Sequence, residues 1–244
     1  MSREHRKGTC FILGRLYDLA FSGMFRGLRK RVARAVEKEE LYPWLDLCCG
    51  TGDQFRRIAG RSGKYGRRSG ERGEREQEAN TESGGAVYGL DMSFGFVRYA
   101  AARAPKVPFV CGDAARLPFK DGSVRAVTVS FGLHDKSPEL RRGMLEEARR
   151  VLGPGGKLIA VDFENPWNAK SRMGMLFVRA VEHLAGGEHY RNGRDFLKRG
   201  GLRAFLRESG FVEASRCDVA TGSLSVVVAR PGLDFPCELS STEI

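Results

Sequence analysis

A short apolar run with a single acid, Leu45-Asp46-Leu47-Cys48-Cys49, closes on Gly50-Thr51-Gly52-Asp53. Glycines in such a turn reverse the chain sharply and leave no Cβ between the backbone and a ligand. The neighbouring residue types narrow the choice of ligand. A dinucleotide fingerprint has a third small residue three positions after its second glycine, and Phe55 stands there. A phosphate loop continues Gly-Lys-Ser or Gly-Lys-Thr, whereas Gly52 is followed by the carboxylate of Asp53. Two acids, Asp46 and Asp53, beside an open backbone suit a cation. S-adenosylmethionine, with its ammonium and sulfonium, is such a ligand, and Asp46, Gly50, Thr51 and Gly52 are its expected contacts. Thr51 and Asp53 would also cap a helix that starts here.

Further acids follow at intervals. Gly52 and Asp91 are 39 positions apart, and setting aside the low-complexity residues 61–84 leaves 15, near the spacing of about 20 at which a ribose-binding acid follows a glycine turn. Asp91, with Met92 beside it, would accept hydrogen bonds from both ribose hydroxyls, or would open a helix together with Ser93. Asp113-Ala114 would meet an adenine through a carboxylate and a backbone amide, and Ser130 ends a further apolar run. His134-Asp135 follows that run. An imidazole beside a carboxylate is equipped for proton abstraction, although a histidine on a loop can equally be idle. His183 and His189, with Glu182 and Glu188, match no zinc spacing, so no metal is predicted.

The elements that must position these residues follow from periodicity. Apolar positions at helical spacing over residues 11–36, interrupted at Ser22-Gly23, predict two short helices ahead of the core. Strands are predicted over 43–48, 86–90, 107–111, 126–131, 157–163, 211–219 and 224–229, and helices from 52, over 94–104, over 139–152 and over 197–209. Alternation of the two types gives an α/β, Rossmann-like, doubly wound sheet of seven mostly parallel strands. Its last two strands join through Thr221-Gly222 as an antiparallel C-terminal hairpin. In such sheets ligands sit at the carboxyl ends of the strands, where Asp46, Asp91, Asp113 and Ser130 all fall. The expected organisation is N-terminal helices over the substrate site (1–40), a cofactor-binding domain (41–230) carrying a disordered insertion (61–85), and a flexible tail (231–244).

At 244 residues, 41% hydrophobic and 29% charged, the composition is that of an ordinary globular domain. No apolar run approaches the ~20 residues of a bilayer span, and residues 1–7 lack a secretory pattern. The expected location is cytoplasmic, with a peripheral place on the inner membrane face left open. The six cysteines show no C-x-x-C spacing and read as buried thiols. The net charge of +11 is concentrated in Arg26, Arg29, Lys30, Arg31 and Arg34, in Arg141, Arg142, Arg149 and Arg150, and over residues 191–203. This reads either as solvated helix faces or as attraction to anionic lipid. Without an aromatic-rich RNA-binding module or helix-turn-helix pattern, no nucleic acid is expected.

With these residues in place the chain resembles the class I S-adenosylmethionine-dependent methyltransferases. Within them it is similar to the ubiquinone/menaquinone biosynthesis C-methyltransferase (UbiE/MenG-type) family. The resemblance runs over roughly residues 14–230 outside the insertion. It is carried by Tyr17-Asp18-Leu19, Gly50-Thr51-Gly52-Asp53, Gly112-Asp113-Ala114, Leu117-Pro118-Phe119, Val129-Ser130-Phe131-Gly132-Leu133 and Arg150-Val151-Leu152-Gly153-Pro154-Gly155-Gly156. It implies S-adenosylmethionine as cofactor, held by Thr51, Asp91, Asp113, Ala114 and Ser130, and a small, lipophilic, quinone-type ring as methyl acceptor. After Phe-Gly-Leu the family usually carries Arg-Asn, and this chain carries His134-Asp135. That exchange touches a site implied in substrate activation, whereas Asp53, the family's other activating candidate, is kept. The expected catalytic residues are therefore Asp53, His134 and Asp135. Trp167, Met173, Met175 and Phe177 would cover the acceptor. O- or N-methylation of another small metabolite and a non-catalytic cofactor-binding role remain alternatives.

Overall fold

The computed structural model describes residues 25–55, 85–166, 169–170, 172–173 and 187–232. Within them the strands are β1 (Trp44–Leu47), β2 (Val87–Asp91), β3 (Phe109–Cys111), β4 (Val124–Ser130), β5 (Leu152–Phe163), β6 (Phe211–Val219) and β7 (Leu224–Pro231). The helices are α1 (Arg26–Lys38), α2 (Phe94–Arg103), α3 (Pro138–Val151), α4 (Gly187–Lys198) and α5 (Gly201–Glu208). All seven strands form one sheet in the order β3-β2-β1-β4-β5-β7-β6. Pairing is parallel from β3 to β5, while β7 runs antiparallel to both β5 and β6. This is the doubly wound α/β architecture expected from the alternation of elements.

The sheet is buried on both faces because successive side chains in a strand alternate sides. Leu45, Leu47, Val127, Val129, Leu158, Ala160, Val227 and Ala229 meet α3, α4 and α5 on one face. Trp44, Ala126, Ile159, Val161, Val226 and Val228 meet Leu28, Val32 and Val36 of α1 on the other. Chain direction reverses its winding at β1, which lies between β2 and β4. The carboxyl ends of these strands diverge there, as at other switch points.

Three boundaries differ from expectation by more than two residues. The helix expected from 52 has not begun by Phe55, since Gly52 is left-handed (φ +69°) and residues 53–55 form a turn. The predicted helix over 197–209 is two helices, because Gly200 (φ +105°) and Gly201 (φ +72°) are both left-handed and a right-handed helix cannot pass through them. The predicted strand start at 157 is too late. β5 begins at Leu152, paired with Val124, and its register then shifts so that Lys157 pairs with Ala126. The extra residues bulge out, and they can do so because they are small. A Cβ on Gly153 would stand 2.6 Å from the carbonyl oxygen of Gly122. The thiols also depart from the expected burial, since Cys111 is exposed and Cys48, Cys49 and Cys217 are half-buried. Cys10 and Cys237, the first predicted N-terminal helix, residues 61–84, His183, Trp167, Met175 and Phe177 lie outside the described residues.

Candidate functional site

A cavity of about 510 Å³ opens at the switch point, within the size range of small-molecule sites. Its floor is the glycine turn. Gly50 (φ +53°) and Gly52 (φ +69°) both occupy the left-handed region. A Cβ on Gly52 would lie 2.8 Å from that of Ala100 and 3.0 Å from the Phe109 ring. Around the Cβ position of Gly50 the space is open. Phe55, at the position where a dinucleotide fingerprint has its third glycine, is fully buried. Its ring packs edge-on against Trp44 and Phe109 at 5.2 and 6.0 Å, so the space is occupied by core.

The cavity gathers Asp46, Gly50, Thr51, Asp53, Asp91, Met92, Asp113, Ala114, Ser130 and Asp135. Gly52 underlies them, and His134 stands behind the wall. Asp46 sits inside β1 opposite Thr128 of β4. The Thr128 hydroxyl donates to Asp46 Oδ1 at 2.5 Å and accepts from the Trp44 indole at 2.8 Å. Burial pushes the Asp46 carboxyl up to about 7, outweighing the Thr128 hydrogen bond and the charge of Arg29. Burial likewise raises the Cys48 thiol to about 12 and the Cys49 thiol further. Both line the cavity as protonated groups and not as nucleophiles.

Asp91 ends β2 with one oxygen accepting from Gly50 N at 2.9 Å and the other from Ser93 N at 2.8 Å. Ser93 in turn caps α2 through Phe96 N. The two readings of Asp91 therefore coexist. Its carboxylate braces the turn and the helix, and with about four acceptor directions it keeps capacity for two ligand hydroxyls. Asp113 accepts from Ala115 N at 2.9 Å and stays exposed, while Ala114 beside it is buried.

Asp53 is buried and paired with Arg29 of α1 at 2.5 Å, and Gln54 donates to the Arg29 carbonyl at 3.1 Å. These contacts fasten α1 to the glycine turn, and Phe25, Leu28 and Arg29 join the cavity wall. Phe25 stacks on Phe131 at 4.6 Å. Phe131 itself follows β4 with φ +57°, and Cys48 follows β1 with φ +54°. Bulky residues in this region carry strain, and such strain is concentrated at binding sites.

His134 does not pair with Asp135. Its ring is turned into the protein, 4% exposed, with Nδ1 2.7 Å from Asp162 Oδ1. Asp162 Oδ2 also accepts from the backbone N of Leu133 and of His134. The buried carboxylate at the end of β5 satisfies three groups of this loop at once. Asp135 instead faces Lys136 at 2.5 Å and His189 at 3.8 Å, and all three line the cavity. Arg141, buried within α3, binds the carbonyls of Leu133, His134 and Asn192 and the carboxylate of Asp195. It thereby ties α4 to the loop after β4.

Asp162, Lys136, Arg29, Arg141 and His189 are site or support residues absent from the expected set. Asp162 had a visible signal, an acid inside the apolar run Val161-Asp162-Phe163 that mirrors Leu45-Asp46-Leu47. Arg29 and Arg141 had none, because a buried arginine on a helix looks in sequence like a solvated one.

The description ubiE/COQ5 methyltransferase family belongs to the family model that matches residues 16–183. A demethylmenaquinone methyltransferase of Beutenbergia cavernae is 43% identical over 158 residues, 63% of this chain and 56% of that protein. A 2-phytyl-1,4-naphtoquinone methyltransferase of Nostoc punctiforme is 30% identical over 200 residues, 75% of this chain and 78% of that protein. The chain spans about half the length of the first of these curated relatives. In fold it is similar to the PH0226 protein of Pyrococcus horikoshii, at TM-score 0.59 and 19% identity over 86% of this chain and 91% of that one. It is also similar to the magnesium protoporphyrin IX methyltransferase of Synechocystis with bound SAH, at TM-score 0.53 and 18% identity over 84% and 83% of the two chains. The matched segment covers the glycine turn, the acids that follow it and the loop after β4, and on that ground the chain belongs to the ubiE/COQ5 methyltransferase family.

Proposed function

We propose that this protein methylates a ring carbon of a small, lipophilic, quinol-type acceptor. The observation that carries this reading is a single cavity with two chemically different sides. One side is Asp46, the glycine turn and Asp91, which suit a cationic nucleoside. The other is Phe25, Leu28 and Phe131, which suit an apolar ring. When bound, S-adenosylmethionine supplies an electrophilic methyl on a positively charged sulfur. Asp91 would hold the ribose hydroxyls, Asp113 and Ala114 the adenine edge, and Asp46 the ammonium, and Thr51 and Ser130 line the same cavity. The chain's own work is alignment of two reactants and exclusion of water. Asp53 contributes by holding α1 over the cavity through Arg29. Relatives named for demethylmenaquinone and phytyl-naphthoquinone methylation support the acceptor class.

The exposed side of α1 carries Arg26, Lys30 and Arg34, one helical turn apart, beside the residues that line the cavity. This supports peripheral contact with an anionic membrane, where a lipophilic acceptor resides. No helix among the described residues is long and apolar enough to cross a membrane.

Incubation of the purified protein with methyl-labelled S-adenosylmethionine and a reduced demethylmenaquinone should label the quinol ring. Tight cofactor binding without labelled product would overturn the reading. Asp91→Ala should abolish cofactor binding in calorimetry, since it removes both the hydroxyl acceptors and the brace on Gly50.

A further inference from the structure

We propose that His189 takes the proton from the acceptor's ring hydroxyl and that Asp135 orients it. This rests on the quinol reading above. His189 stands near the start of α4 and Asp135 on the loop after β4, and both line the cavity with Lys136. Lys136 holds Asp135 Oδ2 at 2.5 Å, and His189 Nδ1 lies 3.8 Å from the same oxygen. The second oxygen, Oδ1, is buried and has no hydrogen-bond partner among the described residues. A buried carboxylate oxygen without a donor is costly to leave so. The His189 imidazole, 3.8 Å from the sister oxygen, is the neighbouring ring N–H that can fill it, and catalytic hydrogen bonds commonly tighten only when substrate binds.

The surroundings make this pair a built arrangement. Asn192, also on α4, donates to the Asp135 carbonyl at 2.9 Å, and Arg141 holds the Asn192 carbonyl at 2.6 Å. The His134 ring, held by Asp162, stands 5.3 Å from the His189 ring at 79° and forms a wall behind it. The titratable and charged groups near this imidazole among the described residues are Asp135, Lys136 and His134 from the loop, Asp162 behind His134, and Glu188, Tyr190 and Arg191 on its own helix. Asp53 and Arg29 line the same cavity.

The step is a proton transfer. The hydroxyl O–H bond breaks and its proton passes to the second ring nitrogen of His189, Nε2. The electron pair stays on the ring oxygen and delocalises onto the ring carbon, which becomes nucleophilic. Asp135 takes the Nδ1–H and offsets the imidazolium charge. Lys136 is engaged with Asp135 Oδ2.

The test uses the full chain with labelled S-adenosylmethionine and a reduced demethylmenaquinone. His189→Gln should lower kcat by about 100-fold, leave cofactor affinity unchanged in calorimetry, and remove the low-pH limb of the rate profile. His189→Ala should recover rate when free imidazole is added, and Asp135→Asn should lower kcat with cofactor affinity intact. Turnover by the wild type with an undiminished rate in His189→Gln overturns the proposal alone. So does a slow His189→Ala that imidazole fails to rescue while the low-pH limb persists. Absence of product from the wild type overturns the quinol reading and takes this inference with it.

Discussion

Asp46 is buried at the end of β1 with its carboxyl raised to about 7, so near neutral pH the site contains both protonation states. A cation arriving beside it favours the ionised form. Cofactor binding at pH 6 should therefore release a proton from this group, and affinity should rise with pH up to about 7. Calorimetry in two buffers of different ionisation enthalpy measures that release, and Asp46→Asn should abolish it. The same shift has a sign for stability. Between the ordinary carboxyl value of 3.8 and about 7, the folded state holds a proton that the unfolded state has lost. Stability therefore falls as pH rises through that window. At about 1.4 kcal/mol per unit, the loss is at most about 4 kcal/mol. Asp46→Asn should flatten this dependence, as seen in denaturation midpoints at pH 4 and pH 8. The residue types at the site were legible because acids inside apolar runs are rare. Pairings were less so: His134 and Asp135 are neighbours in the chain, yet Asp162, distant in sequence, is the acid that holds the imidazole.

At the scale of elements, the support for the loop after β4 and for α4 runs through Arg141. Its guanidinium joins α3, the loop after β4 and α4 through four hydrogen bonds and stacks on Phe196 at 5.0 Å. Removing it leaves three backbone carbonyls without their donor. Arg141→Ala should cost about 2–4 kcal/mol in a denaturant titration. It should also raise the acceptor KM more than the cofactor Kd. Strand positions were readable from alternation, because Leu45, Leu47, Val127 and Val129 mark one face. Where two glycines broke a helix that apolar spacing carried across, at Gly200-Gly201, periodicity was blind to backbone sign. The Gly153 to Gly156 bulge escaped notice for the same reason: glycine ends helices and also permits strands to bulge.

At the scale of the whole molecule, the strand order was only partly readable. A hairpin can place either of its strands against the sheet. The sequence did hold the answer in Val226 to Ala229, an unbroken apolar run that belongs to a strand buried on both faces, while β6 carries Glu213, Ser215, Arg216 and Asp218, is exposed along most of its length and forms the edge. The charge distribution leads to a further expectation. Vesicles containing anionic lipid should sediment this protein at low salt and release it as the Debye length shortens, about 10 Å at 0.1 M and 3 Å at 1 M. Arg26→Glu with Lys30→Glu should weaken that association without altering cofactor affinity in solution. Sedimentation indifferent to both salt and these exchanges would refute it.

The opposite walls of the cavity hang from different anchors. Asp91 to Gly50 holds the glycine turn, Asp53 to Arg29 holds the apolar side through α1, and Asp162 to His134 and Arg141 to Asn192 hold the loop after β4. Such a division lets the two binding partners be tuned separately. Under the proposed function, exchanges in the loop after β4, as at His134-Asp135, would change the acceptor and leave the nucleoside half intact.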